Sequence, residues 1–150
     1  LSPERLWLLS IALRKRGHRR SAFWIKKLNS VLYRNSLPPG STVSPDIWLG
    51  HHSFGTIIHG NVEIGQRVKI WHNVTIAVRA PSDSPHRIIL EDDVKIGASA
   101  VIISPYENSL RIGRGARIGA GAVVSHDVPA GATVVSAPVR VLQQDSPPVE

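Results

Sequence analysis

The chain has 150 residues and no cysteine, so it is long enough to bury one real core and cannot use disulfides, a cysteine nucleophile or thiolate metal sites. No apolar run approaches the length of a membrane span and nothing near the start reads as a secretory signal, so a reducing cytoplasm is the expected compartment. The net charge of +7 is lopsided: residues 1–36 carry nine Lys/Arg against the single acid Glu4, a balance of +8, while residues 37–150 carry nine against ten acids.

Residues 3–34 read as helix. Leu6, Leu9 and Leu13, then Phe23, Ile25, Leu28, Val31 and Leu32, recur at roughly helical spacing. Ser2-Pro3-Glu4 supplies a start and Gly17 separates two helices. Leu37-Pro38-Pro39-Gly40 ends helical structure, which leaves a helical segment at 1–36. Its basic surface is either a solvated helix face or a docking surface for an acidic partner or an anionic membrane. Nucleic acid is not an expected partner, because no aromatic-interleaved basic sheet or known motif accompanies the charge. Met is absent and the first residue is Leu1, so the natural start is expected to lie upstream.

From residue 37 the pattern changes to a period of six. Aliphatic residues fall at Ile58, Ile64, Ile70 and Ile76, then Leu90, Ile96 and Ile102, then Ile112, Ile118, Val124 and Ala130. Four places after each come Val62, Val68, Val74, Ala80, Val94, Ala100, Tyr106, Ala116, Ala122, Val128 and Val134, all Val or Ala except Tyr106. Six does not match the 3.6-residue helix period, and β-branched residues and Gly weigh against helix here. Hexapeptide repeats are a parallel β-helix signature: each unit supplies a short strand and a corner, and three units close a triangular coil. Gly65, Gly97, Gly113 and Gly119 directly follow their aliphatic residue, where a turn is expected. The solenoid is expected over 37–142, followed by a polar, loosely ordered tail at 143–150.

Three breaks in the period carry the functional interest, since solenoids place insertions in loops on one face. Leu49 to Ile58 spans nine residues and encloses Gly-His-His-Ser-Phe-Gly (50–55). Ile76 to Leu90 spans fourteen and encloses residues 79–87, including His86. Ile102 to Ile112 spans ten and encloses residues 104–109. A histidine with a near-neutral pKa is a competent general base, so the histidine-bearing breaks are the candidate catalytic loops.

Several stretches resemble the serine acetyltransferases, which belong to the hexapeptide-repeat acyltransferase superfamily. They are residues 13–22, Leu37-Pro-Pro-Gly-Ser-Thr-Val43, residues 50–58, Asn73-Val-Thr-Ile76, Lys95-Ile-Gly-Ala-Ser-Ala100, residues 118–124, Asp127-Val-Pro129 and the terminal Pro138-Val-Arg140. The resemblance runs from about residue 11 to 142. It implies a mainly β fold, a left-handed parallel β-helix behind a short helical segment. It also implies a homotrimer whose coenzyme grooves lie between subunits, and transfer of acetyl from acetyl-CoA to a small-molecule hydroxyl. No metal is implied.

The resemblance places the general base on His51, with His52 as the neighbour that could fill the role instead. It places the second, acceptor-binding histidine on His86, followed here by Arg87 where the family has Pro. Ala98, Ala120, Ser125, His126 and Arg140 fall at coenzyme-binding positions; a guanidinium such as that of Arg140 suits a phosphate. His59 and His72 read as surface or subunit-contact residues. Three departures bear on the acceptor. Ser36 stands where the family has the Asp that orients its base. Gly50 stands for the Asp that grips the substrate ammonium, and Pro85 for the Arg before the second histidine. Missing carboxylates argue against a free amino acid and leave room for another hydroxyl, such as that of a sugar.

Two other readings compete. One is a binding or scaffold solenoid without catalysis. The other is a metal-dependent hydratase of the γ-carbonic anhydrase type, which would need three histidines, drawn from His51, His59, His72 and His86, converging on one ion.

Overall fold

The computed structural model describes residues 1–138. Two helices come first. Helix α1 (Pro3–Lys15) starts at Ser2, whose side chain accepts a hydrogen bond from the Arg5 N–H, with Pro3 in the first turn where its missing N–H costs nothing. Glu4 in the first turn and Arg14 and Lys15 in the last complement the helix dipole. Gly17, in a left-handed conformation at φ 85°, reverses the chain into α2 (Arg19–Tyr33). The helices run antiparallel: Asn29 Nδ2 donates to the Pro3 carbonyl at 2.9 Å and the Tyr33 hydroxyl donates to that of Leu1 at 2.6 Å.

Among the described residues the solenoid follows as thirteen short strands in three all-parallel sheets. The first sheet holds β1 (Thr42–Val43), β4 (Val62–Ile64), β7 (Ile88–Leu90) and β10 (Leu110–Ile112). The second holds β2 (Trp48–Leu49), β5 (Lys69–Ile70), β8 (Lys95–Ile96), β11 (Arg117–Ile118) and β13 (Thr133–Val134). The third holds β3 (Ile57–Ile58), β6 (Thr75–Ala77), β9 (Val101–Ile103) and β12 (Val123–Val124). Chain order visits the sheets in rotation, giving four coils and the beginning of a fifth.

Register stacks like on like. Leu49, Ile70, Ile96, Ile118 and Val134 form one column, and Ile58, Ile76, Ile102 and Val124 another. These columns and their Val/Ala counterparts make the core: Ile64, Ile70, Ile96 and Ile118 are all buried, as the six-residue period requires. Each buried aliphatic side chain is worth about 1.5–3 kcal/mol relative to exposure. Helix α1 closes the first coil. Trp7 is fully buried and its Nε1 donates to the Pro38 carbonyl at 2.8 Å, while Glu4 accepts from the Leu49 N–H at 3.1 Å.

The turns expected at the glycines are present, while three expected inward places shift. None of Gly65, Gly97, Gly113 and Gly119 is left-handed; the left-handed residues stand two places later, at Arg67, Ser99, Gly115 and Gly121. Gly97 has another reason to be glycine, because a Cβ there would lie 2.6 Å from the Ala120 backbone nitrogen. Neighbouring coils touch at that point. Val78 and Ser104 take the buried places assigned to Ala80 and Tyr106, since each insertion leaves the coil just after its strand; Ala80 still packs partly buried against the core, while Tyr106 is exposed. Ala130 is exposed, with Val128 buried beside it. The apolar stripe of α2, whose direction helical spacing leaves open, faces away from the core. Its buried positions are Ala22 and Asn29, because α1 alone lies against the solenoid core.

Candidate active site

The corner joining the second sheet to the third carries His51 and His52. Their turn, Gly50–Ser53, is strained: His51, His52 and Ser53 are consecutive left-handed residues with φ of 49°, 58° and 56°. Non-glycine residues in that region cost about 1–3 kcal/mol each and persist only where surrounding contacts fix them. Such contacts are present. Asn35, buried between the helices and the first coil, donates from Nδ2 to Ser53 Oγ at 2.7 Å and to Asn29 Oδ1 at 3.2 Å. The Gly55 N–H donates to the Arg34 carbonyl at 3.0 Å. The helical segment therefore holds the histidine turn in place.

The two histidines face different neighbours. His51 packs edge to face on His72, the residue one coil further along the same corner, with ring centroids 4.8 Å apart. His52 lies against the Tyr33 ring of α2 at 5.6 Å. His72, expected as a surface or subunit-contact residue, is half-buried, and its Nδ1 is enclosed without a hydrogen-bond partner among the described residues. Gly50 sits under two indoles. A Cβ there would lie 2.9 Å from the Trp48 ring and 3.3 Å from that of Trp71, and these two rings themselves pair at 5.0 Å. A side chain at position 50 would therefore crowd both indoles.

Further along the same corner runs a largely apolar groove of about 380 Å³. Trp71 forms one end, Ala98 and Ala120 its floor, and Lys95 and Arg117 line it with positive charge. Trp71, Lys95 and Arg117 were not singled out from the sequence, because outward positions of a hexad follow no pattern. Asn35 and Ser53 are likewise invisible there, since only the folded chain brings them together.

His86 lies at a different corner, the one joining the third sheet to the first. It is half-buried; its N–H donates to Ser84 Oγ at 3.0 Å and its carbonyl accepts from Asn61 Nδ2 at 3.3 Å. His59 shares that corner, its Nδ1 accepting from the Asn61 N–H at 3.1 Å. Arg87 turns away to pair with Glu63 at 2.9 Å. Two coils on, Ser125 and His126 occupy the same corner, joined by a 3.0 Å contact between Ser125 Oγ and His126 Nδ1, beside a shallow depression. Ser36 pairs through its backbone with Ile57. Arg140 lies outside the described residues. Among the described residues no three His, Asp or Glu side chains gather into a metal set within the chain, and no helix is long and apolar enough to cross a membrane.

The site residues thus divide cleanly. His51, His52, Ala98 and Ala120 stand at one corner, and His86, Ser125 and His126 at another. Within one chain the two groups stand apart, on separate corners of the solenoid.

Comparison with known proteins places this arrangement. No family model matches the chain. The serine acetyltransferase of Bacillus licheniformis is 33% identical over 132 residues, covering 85% of this chain and 59% of that enzyme. The 2,3,4,5-tetrahydropyridine-2,6-dicarboxylate N-acetyltransferase of Staphylococcus aureus is 44% identical over 84 residues, covering 55% of this chain and 33% of that one. Among solved structures, the Neisseria gonorrhoeae serine acetyltransferase in complex with serine superposes with a TM-score of 0.78 at 28% identity, covering 93% of this chain and 55% of that one. The Brucella abortus serine acetyltransferase in complex with coenzyme A gives a TM-score of 0.78 at 24% identity, covering 95% and 55%, and supports the fold. The chain spans between one-third and three-fifths of the length of these relatives. It is a serine acetyltransferase-like hexapeptide-repeat β-helix protein, a distant homologue of both kinds of acetyltransferase.

Proposed function

We propose that the protein is an acetyl-CoA-dependent O-acetyltransferase that works as a homotrimer on a small hydroxyl acceptor other than a free amino acid. The observation that carries this reading is the division of the site between two corners. A closed three-fold ring sets one corner of each subunit against a different corner of its neighbour. His51 and the Ala98–Ala120 groove of one copy would then face His86, Ser125 and His126 of the next.

The groove fits the coenzyme chemically. Small side chains on its floor leave room for an elongated pantetheine arm, and Lys95 and Arg117 match its phosphates. When bound, the coenzyme supplies the acetyl group as an activated thioester. His51 takes the acceptor hydroxyl proton, and His72 fixes the plane of its ring, a role that the resemblance gives to an Asp absent at Ser36. His86 of the neighbouring copy holds the acceptor. His51 is preferred to His52 because it packs on His72, the chain neighbour of the groove residue Trp71, while His52 packs on Tyr33. Gly50 offers an ammonium group no carboxylate where the resemblance expects one, which supports an uncharged acceptor such as a sugar hydroxyl. The tetrahydropyridinedicarboxylate enzyme acetylates nitrogen, so amines belong in the test.

The test is release of free coenzyme A thiol from acetyl-CoA with L-serine, amino sugars and simple glycosides as acceptors. Turnover with a glycoside hydroxyl and little with serine is expected. Serine turnover at low millimolar concentration, or acetylation of the amine alone, would overturn the acceptor; no thiol release with any acceptor would overturn the transferase reading. Mixing inactive His51→Ala with inactive His86→Ala protein should restore activity only if the site is shared between copies.

A further inference from the structure

Helix α2 carries a second surface, separate from the acetyl-transfer site. Trp24, Leu28, Val31 and Leu32 are exposed at 69%, 41%, 75% and 51%. Their spacing puts them along one side of the helix, and Arg20 and Lys27 flank them. Large apolar side chains left in solvent along a whole helix mark a contact surface.

Charge decides what the surface meets. Residues 5–45 contain no acidic residue, and the acid just before them, Glu4, is turned inward onto the Leu49 N–H. A second copy would bring the same balance of +8 against this one and be repelled. The cations also extend beyond α2: Arg14, Lys15 and Arg16 at the end of α1, with Arg19 across the turn, are exposed too. The cations thus span both helices and the turn between them. Basic residues beside exposed Trp and aliphatic side chains on a helix lying flat are the chemistry of an interfacial helix on anionic lipid.

We infer that α2 docks in the plane of an anionic phospholipid surface, inserting Trp24, Leu28, Val31 and Leu32 between headgroups while the flanking Arg and Lys pair with lipid phosphates. The surface does not depend on the transferase reading.

Flotation of the whole chain with phosphatidylcholine vesicles holding 0 or 30 mol% phosphatidylglycerol tests it. Binding at least tenfold tighter to the anionic vesicles is expected, with a blue shift of tryptophan emission that Trp24→Phe removes. Because the side chains are exposed, the Leu28→Glu/Val31→Glu double variant should fold, keep its oligomeric mass and lose vesicle binding. Four results would overturn the inference. They are no binding to either vesicle, binding that survives the double variant and is matched by RNA, a blue shift that persists in Trp24→Phe, and a changed oligomeric mass in the double variant. The last would give the face to another copy.

Discussion

The imidazole of His51 meets that of His72 edge to face, with ring centroids 4.8 Å apart and planes at 88°. The contact joins two successive coils at one corner. It fixes the ring proposed as base by packing where the resemblance leads one to expect a carboxylate. Edge-to-face aromatic pairs are worth about 0.5–1.5 kcal/mol beyond their buried area. His51→Ala should therefore lower kcat about 10²–10⁴-fold, the usual worth of a general base, with little change in coenzyme affinity. His72→Ala should lower kcat roughly 2–12-fold through lost positioning, and His72→Phe should restore most of that loss. His52→Ala should cost little. Steady-state kinetics of the four variants decide the matter; a silent His51→Ala beside a damaged His52→Ala would reverse the assignment.

The aliphatic columns were legible because the six-residue period is one face of the coil and three periods close it. A side chain six residues on lies at the next face, and one coil on it stacks on its own kind, as Leu49 does on Ile70 and Ile70 on Ile96. What the sequence could not show depends on contacts between coils or between the helices and the first coil. His51 meets His72 only because the Gly50–Ser53 turn adds its own left-handed kinks. Asn35 reaches Ser53 from the helical side. Helical spacing marked the apolar residues of α2 correctly but could not say which way they face.

Gly97 tests the contact between coils. Its missing Cβ leaves room for the Ala120 backbone nitrogen, 2.6 Å from where that carbon would be. Gly97→Ala should destabilise by about 1–3 kcal/mol, as overpacking does, and lower Tm by several degrees. Gly60, with open space around its would-be Cβ, provides the control. Thermal unfolding of Gly60→Ala should match the parent; equal losses in both variants would mean that close approach is not what selects glycine at 97.

Restoring a carboxylate before His51 should fail for a steric reason. Gly50→Asp drives its Cβ against Trp48 and Trp71, so a lower Tm and no gain of serine turnover are expected. Combining it with Trp48→Ala should recover much of the Tm. A stable Gly50→Asp single variant that acetylates serine would show that the indoles do not set the acceptor.

Acid should loosen the solenoid through its exposed ion pairs. Hydrogen bonds from Arg67 hold the Asp93 carboxyl below the usual aspartate range, and those from Arg111 and the Arg114 N–H do the same for Glu91. A carboxylate with a depressed folded pKa stabilises above its unfolded value and loses that contribution as pH falls through the folded one. Tm should hold steady down to the ordinary carboxylate range, about pH 4–5, and decline below it. The pairs are exposed, so the decline should be modest and flattened by salt. Asp93→Asn should start lower at neutral pH and fall less; an acid profile identical to the parent would remove the Arg67–Asp93 pair from the account.

The groove makes a separable claim about the coenzyme. Ala98 is half-buried and Ala120 exposed in its lining, so a larger side chain at either can be accommodated by the fold while filling the space proposed for the coenzyme. Ala120→Leu should leave Tm nearly unchanged and raise KM for acetyl-CoA, with kcat at saturation largely kept, because the base and acceptor positions are untouched. Lys95→Glu should weaken coenzyme binding more steeply at low ionic strength than at high, since exposed charges are screened within about 8 Å at physiological salt. If Ala120→Leu leaves KM for acetyl-CoA unchanged while lowering kcat, the groove is not the coenzyme's path. The half-site containing Ser125 and His126 would then be examined alone, through Ser125→Leu, for the same KM effect.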